Sequence, residues 1–183
     1  PERHSSWWFN AGFHECYNVG KCGLESGEEV LPIALDWLER CGERDNWFLH
    51  VHFWDPHTPY RAPESFGNPF AEEPIPSWIT PEVFEQHRRL SCPHGLNELS
   101  MYSDTEDPRF PRAPGKITEY SELRRVFDGY DCGIRYVDGL VGQLFDWLRE
   151  HGLYEDTAIL VTADHGENMG ELGIYEEHGT ADE

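Results

Sequence analysis

The sequence predicts an α/β chain in which a mostly parallel central sheet is flanked by helices. Three observations predict it. Residues 158–163, Ala-Ile-Leu-Val-Thr-Ala, form an apolar run without alternation, the pattern of a central strand covered on both faces. Residues 119–151 repeat apolar side chains at helical spacing. The elements come in the order helix, strand, long loop, helix, strand, polar loop, which suits parallel strands joined by crossovers.

Each element has its own signal. Residues 1–26 carry Trp7, Trp8, Phe9, Phe13 and Tyr17 among glycines and read as irregular chain packed by rings. Residues 27–42 read as a helix, because Val30, Ile33, Ala34, Trp37, Leu38 and Cys41 recur every three or four positions. Ser26 caps it, Glu28 and Glu29 sit at its positive end, and Gly42 stops it. Residues 46–54 are rich in aromatic and β-branched side chains and read as a buried strand that breaks at Asp55-Pro56. A Pro-rich excursion follows over about 61–115, with a short helix at 81–90 opening on Pro81. Connections of that length are usually functional or cover something. The helix over 119–151 keeps Tyr130, Ile134, Val137, Val141, Leu144, Phe145 and Leu148 on one face, and Gly152 ends it.

Composition narrows the function classes. The net charge is −21, from 14 basic and 35 acidic residues. A phosphate backbone needs a basic face, so nucleic acid is not an expected partner, and neither is an anionic membrane surface. No run approaches the ~18 apolar residues of a membrane helix. Seven Trp, 8 Tyr and 10 Phe are too much aromatic surface for a disordered chain. The five Cys, at 16, 22, 41, 92 and 132, have irregular spacing and no C-x-x-C pair. They read as free thiols, which favours a reducing, cytoplasmic compartment. Pro1 is no initiator and the chain ends on a polar run, so both ends read as cuts and 1–183 as one partial domain. Oligomeric state has no signal here.

In open parallel sheets, ligands sit beyond the carboxyl ends of strands. Two such ends carry capable residues: Asp55-Pro56-His57-Thr58-Pro59-Tyr60 and Asp164-His165-Gly166-Glu167-Asn168. Adjacent Asp164 and His165 can both face one cation where the strand breaks. A carboxylate suits calcium, magnesium or manganese, while an imidazole shifts the choice toward manganese or zinc. The competing reading has Asp164 capping a turn and His165 on the surface. His57, held between Pro56 and Pro59, suits proton transfer or anion holding; a purely structural His competes with that. His178, in Glu177-His178-Gly179-Thr180, is weak alone. His50 and His52 read as packed or supporting residues, and Cys92 as incidental.

These residues resemble a known family. Phe48-Leu49 with Pro56-His57-Thr58-Pro59-Tyr60 is similar to the FL…PH.PY segment of type I sulfatases, members of the alkaline phosphatase superfamily. Ala158–Glu167 resembles their DHGE segment, and Tyr130, Val137, Asp138, Val141 and Gly142 resemble the helix before it. The resemblance implies an alkaline phosphatase-like fold and hydrolysis of a sulfate ester in a sulfated small molecule or glycan. It implies that Asp164 and His165 bind a divalent metal, calcium first with manganese or magnesium as alternatives. It implies that His57 and His178 act on the sulfate and the leaving oxygen. His178 stands where the family has Lys, so its cationic role needs a raised pKa or differs. The family's formylglycine arises from C/S-x-P-x-R, a motif that does not occur in this sequence. The resemblance therefore implies a nucleophile upstream and an isolated chain without activity. Phosphonate or phosphodiester hydrolysis, and a non-catalytic relative that binds a sulfated glycan, are the alternatives.

Overall fold

Helix α1 spans Gly27–Cys41 and begins as its sequence dictates. The Ser26 amide donates to the Glu29 carboxylate at 3.1 Å, and the buried Asp55 carboxylate accepts the Gly27 amide at 2.9 Å. One local acid, Glu29, and one sequence-distant acid, Asp55, thus satisfy amides at the helix start. Gly42 ends α1 for a different reason than expected. Its backbone is right-handed, but a Cβ there would meet the Leu38 carbonyl and the Trp147 ring, both at 2.7 Å. The ring's close approach, not a left-handed turn, demands glycine. A computed structural model of the protein describes residues 11–21, 23–99 and 107–178. The expectations placed on Trp7, Trp8, Phe9, Cys22 and the Gly179-Thr180 turn lie outside them.

Two compact units are present: Pro1–Asp55 with Val137–Ala158, and Pro56–Tyr136 with Ile159–Glu183. In the first, Leu38, Trp147 and Leu148 form the core, with Leu35, Trp37, Trp47, Leu49, Leu144, Leu153 and Tyr154 packed around them. The Trp147 indole donates to Glu39, and the Trp47 indole to the Gly42 carbonyl at 2.9 Å, so each buried ring has its polar edge satisfied.

The second unit takes its core from the segment that reads as loop. Ile79, Phe84, Leu96 and Leu99 of the Pro-rich excursion, with Ile117 just beyond it, pack with Leu123, Val126, Phe127 and Tyr175. Helix α2, Pro81–His87, is capped by Thr80, whose hydroxyl accepts the Val83 amide at 3.3 Å. Helix α3, Arg124–Glu150, follows a short 3-10 turn at Tyr120–Glu122. Its buried apolar side chains are Val126, Phe127, Cys132, Tyr136, Leu140, Trp147 and Leu148, while Ile134 is exposed. The buried stripe is thus offset from the one the spacing predicts.

The sheet differs from the expectation. Among the described residues it has two strands, β1 at Asn168–Met169 and β2 at Tyr175–Glu177, and they run antiparallel. Residues 46–54 and 158–163 belong to no sheet, so the mostly parallel sheet is not present in the described residues. A strand is completed by a neighbour's N–H and C=O groups, which an apolar run does not itself supply. Phe48, Leu160 and Val161 are left 74%, 87% and 71% exposed.

Candidate active site

The hairpin of β1 and β2 brings two of the predicted residues together. Asn168 pairs with Glu177 and Met169 with Tyr175, so Glu176 is the extra residue of a bulge. Its φ of 56° is left-handed, a conformation that a side chain other than glycine seldom adopts. Antiparallel register then sets the segment before Asn168 beside the segment after Glu177. His165 and His178 stack with ring centroids 3.8 Å apart and 16° between planes.

Strand β2 is tied down at both ends. Tyr175 is buried, its amide donates to the His94 carbonyl at 2.8 Å, and its hydroxyl lies 2.9 Å from His87 Nδ1. Glu177 lies 2.8 Å from His94 Nε2. His178 therefore projects from a fixed base although its own side is exposed.

His57 comes from the other predicted segment. Tyr60, 1% exposed, packs so closely on α3 that a Cβ at Gly129 would sit 2.3 Å from its Cδ2. Arg112 donates to the Ala62 and Pro63 carbonyls at 2.7 and 2.9 Å, and Arg61 to the His57 carbonyl at 2.9 Å. This loop sets the His57 ring edge-on to His165 at 5.7 Å and to His178 at 5.1 Å. One ligating atom from each of the three imidazoles lies within 4.8 Å of the others.

Proton positions follow from the partners. His57 Nδ1 lies 2.5 Å from the Thr58 carbonyl, and His165 Nδ1 lies 2.7 Å from the Gly166 carbonyl. A carbonyl only accepts, so both Nδ1 atoms carry hydrogen and the neutral rings hold their lone pairs on Nε2. Burial pushes the His57 pKa below the ordinary histidine value, and the charges of His178 and Arg61 act in the same direction.

Asp164 is exposed, with Oδ1 3.8 Å from His165 Nε2. A carboxylate and an imidazole fit a divalent ion that tolerates nitrogen, and they are two donors of the roughly six to eight that calcium takes. His50 and His52, expected to be packed, are exposed.

An acidic layer that the sequence does not reveal lies in the same unit. Glu176 is 4% exposed, and burial together with the Glu167 charge raises its pKa to about 8. Burial raises Glu167 to about 7, against the lowering effect of His165. Burial also holds the Tyr60 phenol well above its ordinary value, and both glutamates reinforce that. Glu167 Oε1, Glu176 Oε1 and the Tyr60 hydroxyl have no hydrogen-bond partner among the described residues. The spacing of Gly170 and Gly173 signals a turn there, yet nothing in the polar run signals burial.

Three imidazoles thus converge in a unit that also holds two protonatable carboxylates. The sequence pattern of the Sulfatase family matches residues 4–183, and the chain belongs to that family. Membership brings with it the alkaline phosphatase-like α/β fold class. The choline-sulfatase of Rhizobium meliloti is 28% identical over 96% of this chain and 34% of its own length. The multifunctional alkaline phosphatase superfamily protein PehA of Trinickia caryophylli is 29% identical over 93% of this chain and 37% of its own. Human iduronate 2-sulfatase is 27% identical over 74% of this chain and 24% of its own. The chain spans about a third of the length of the first two relatives. No solved structure matches it. No described helix is long and apolar enough to cross a membrane.

Proposed function

We propose that the whole protein hydrolyses the sulfate ester of a small molecule or glycan, and that this chain supplies the leaving-group side of the pocket. The observation that carries the reading is the convergence of His57, His165 and His178, with ligating atoms within 4.8 Å of one another, His57 coming from a segment far in sequence from the other two. A sulfate ester monoanion among the imidazoles draws protons onto them, since opposite charge favours the protonated form. His57, with Nδ1 fixed on the Thr58 carbonyl, presents Nε2 to the bridging oxygen. It delivers a proton there as the upstream nucleophile bonds to sulfur and the bridging sulfur–oxygen bond breaks, and His178 stabilises the charge developing on that oxygen, which leaves as the alcohol. Asp164 and His165 hold a divalent ion, calcium, manganese or magnesium, which when bound neutralises sulfate oxygens and lowers the pKa of the nucleophile. The formylglycine implied by the family lies outside this sequence, and the roles above do not depend on its geometry.

The test is steady-state kinetics of the full-length protein on an aryl sulfate and an aryl phosphodiester. In His178→Ala we expect kcat/KM for the sulfate to fall by about 100-fold or more, within the usual range for a lost acid or charge stabiliser, with metal content unchanged. Unchanged turnover removes His178 from the chemistry. A second reading, phosphonate or phosphodiester hydrolysis, is supported by the likeness to PehA. A phosphodiester rate above the sulfate rate would select it.

A further inference from the structure

We propose that His94 is a positioning residue for His178, holding the strand end from which that imidazole reaches the ester. The proposal rests on His178 acting at the departing oxygen, the reading given above. His94 lies in the Pro-rich excursion, outside the segments that resemble the family.

One carboxylate links the two histidines. Glu177 Oε1 accepts the His178 amide at 2.9 Å, while Oε2 lies 2.8 Å from His94 Nε2. A carboxylate only accepts, so the Nε2 that faces it carries hydrogen. The side chains of His94 and Glu177 are 12% and 18% exposed, so water screens the contact less than it would a surface pair. Both ring nitrogens of His94 are buried and make no hydrogen bond among the described residues. The Glu177 carboxylate is thus the group that offsets part of the cost of burying that ring.

His94 is itself held by its backbone. Its amide donates to the Glu98 carbonyl at 2.9 Å, and its carbonyl accepts the Tyr175 amide at 2.8 Å. Gly95 and Glu98 bridge to close the turn, and Leu96 and Leu99 anchor it in the core of the unit. The φ of His94 is 62°, a left-handed conformation in which His and Asn are enriched. A ring on so rigid a base fixes Glu177, and Glu177 fixes the peptide of His178. The side chain of His178 is exposed and meets only the edge of His57 and the face of His165 among the rings of the cluster. The angle at which its peptide leaves β2 therefore sets where its imidazole lies.

Two substitutions in the full-length protein separate this role from a purely structural one. His94→Asn suits the left-handed backbone but is too short to reach Glu177. His94→Gln suits that backbone less well but places an amide N–H at the reach of Nε2. Positioning predicts that Asn lowers kcat by about 10-fold or more with KM little changed, and that Gln recovers most of the loss. In a His178→Ala background the Asn substitution should cost nothing further, since the group it aims is gone. Wild-type kcat in His94→Asn, an Asn variant better than Gln, or an equal loss in the His178→Ala background would each overturn the proposal. Hydrogen exchange of the peptide spanning Tyr175 to His178 reads the clamp without turnover. Exchange should be faster in His94→Asn than in wild type and slower again in His94→Gln, and identical exchange in all three refutes the clamp. If His178→Ala alone leaves turnover unchanged, the functional reading falls and the role of His94 in turnover falls with it, while the exchange result still decides whether His94 holds the strand end.

Discussion

Glu176 is where the residue scale is most exposed to test. Its pKa of about 8, against an ordinary 4.5, means that the folded chain holds a proton the unfolded chain has released. The contribution of that proton to stability is complete below about pH 4.5 and disappears as pH rises through 8. Glu176→Gln keeps the shape and removes the titration, so its melting temperature should fall less than that of wild type between pH 5 and about 8.5. Parallel curves would mean that Glu176 is ionised and paired in the fold. His57 has the opposite sign. Its lowered pKa means that the unfolded state takes the proton first, so its contribution holds above the ordinary histidine pKa and is lost as pH falls below it. Replacing His57 with Gln should make the protein more tolerant of pH 5 relative to pH 7, read from the same melting curves. The candidate imidazoles are legible in sequence because each sits beside Pro or Gly at a segment end. Glu176 is not legible, because its burial comes from a bulge that no local pattern encodes.

At the scale of elements, the helices are legible and the strands are not. Helices α1 and α3 satisfy their own backbone, so their boundaries follow from caps and spacing. Residues 46–54 and 158–163 have strand composition, yet a strand's hydrogen bonds belong to its neighbours and no described residue supplies them. The core of the second unit escapes a periodic search because Ile79, Phe84, Leu96, Leu99 and Ile117 lie scattered among prolines and turns. The contact between Tyr60 and Gly129 joins helix to loop, and it makes a sharp prediction. Gly129→Ala puts a Cβ 2.3 Å from the ring and 2.5 Å from the Arg112 carbonyl, with backbone on one side unable to yield. We expect a loss of about 1–3 kcal/mol by denaturant titration, the usual cost of overpacking. A stability equal to wild type would show that the loop bearing His57 is free to shift.

For the whole molecule, the balance lies between a charge of −21 and uncovered apolar chain. Phe48, Leu160 and Val161 give the isolated 183 residues exposed apolar positions in both units. The expected behaviour is binding of a hydrophobic dye and association that grows with salt, as screening weakens the mutual repulsion of the acidic surface. Sedimentation velocity at about 0.02 and 0.5 M salt checks it, and a monomer at both would show those side chains to be sheltered. The isolated chain should also leave sulfate esters intact, since it contains no C/S-x-P-x-R motif.

The bulge at Glu176 carries one more implication, for length rather than chemistry. Asn168 and Met169 face three residues across the ladder instead of two, and the surplus residue decides which way the chain beyond Glu177 points. Deleting Glu176 would restore one-to-one pairing, with Glu177 still opposite Asn168, and would remove the left-handed residue that sets the path of the chain into Glu177. The base from which His178 projects would then shift relative to His57 and His165 while every imidazole remained in the sequence. The number of residues between Tyr175 and His178 therefore matters to the cluster as their identities do.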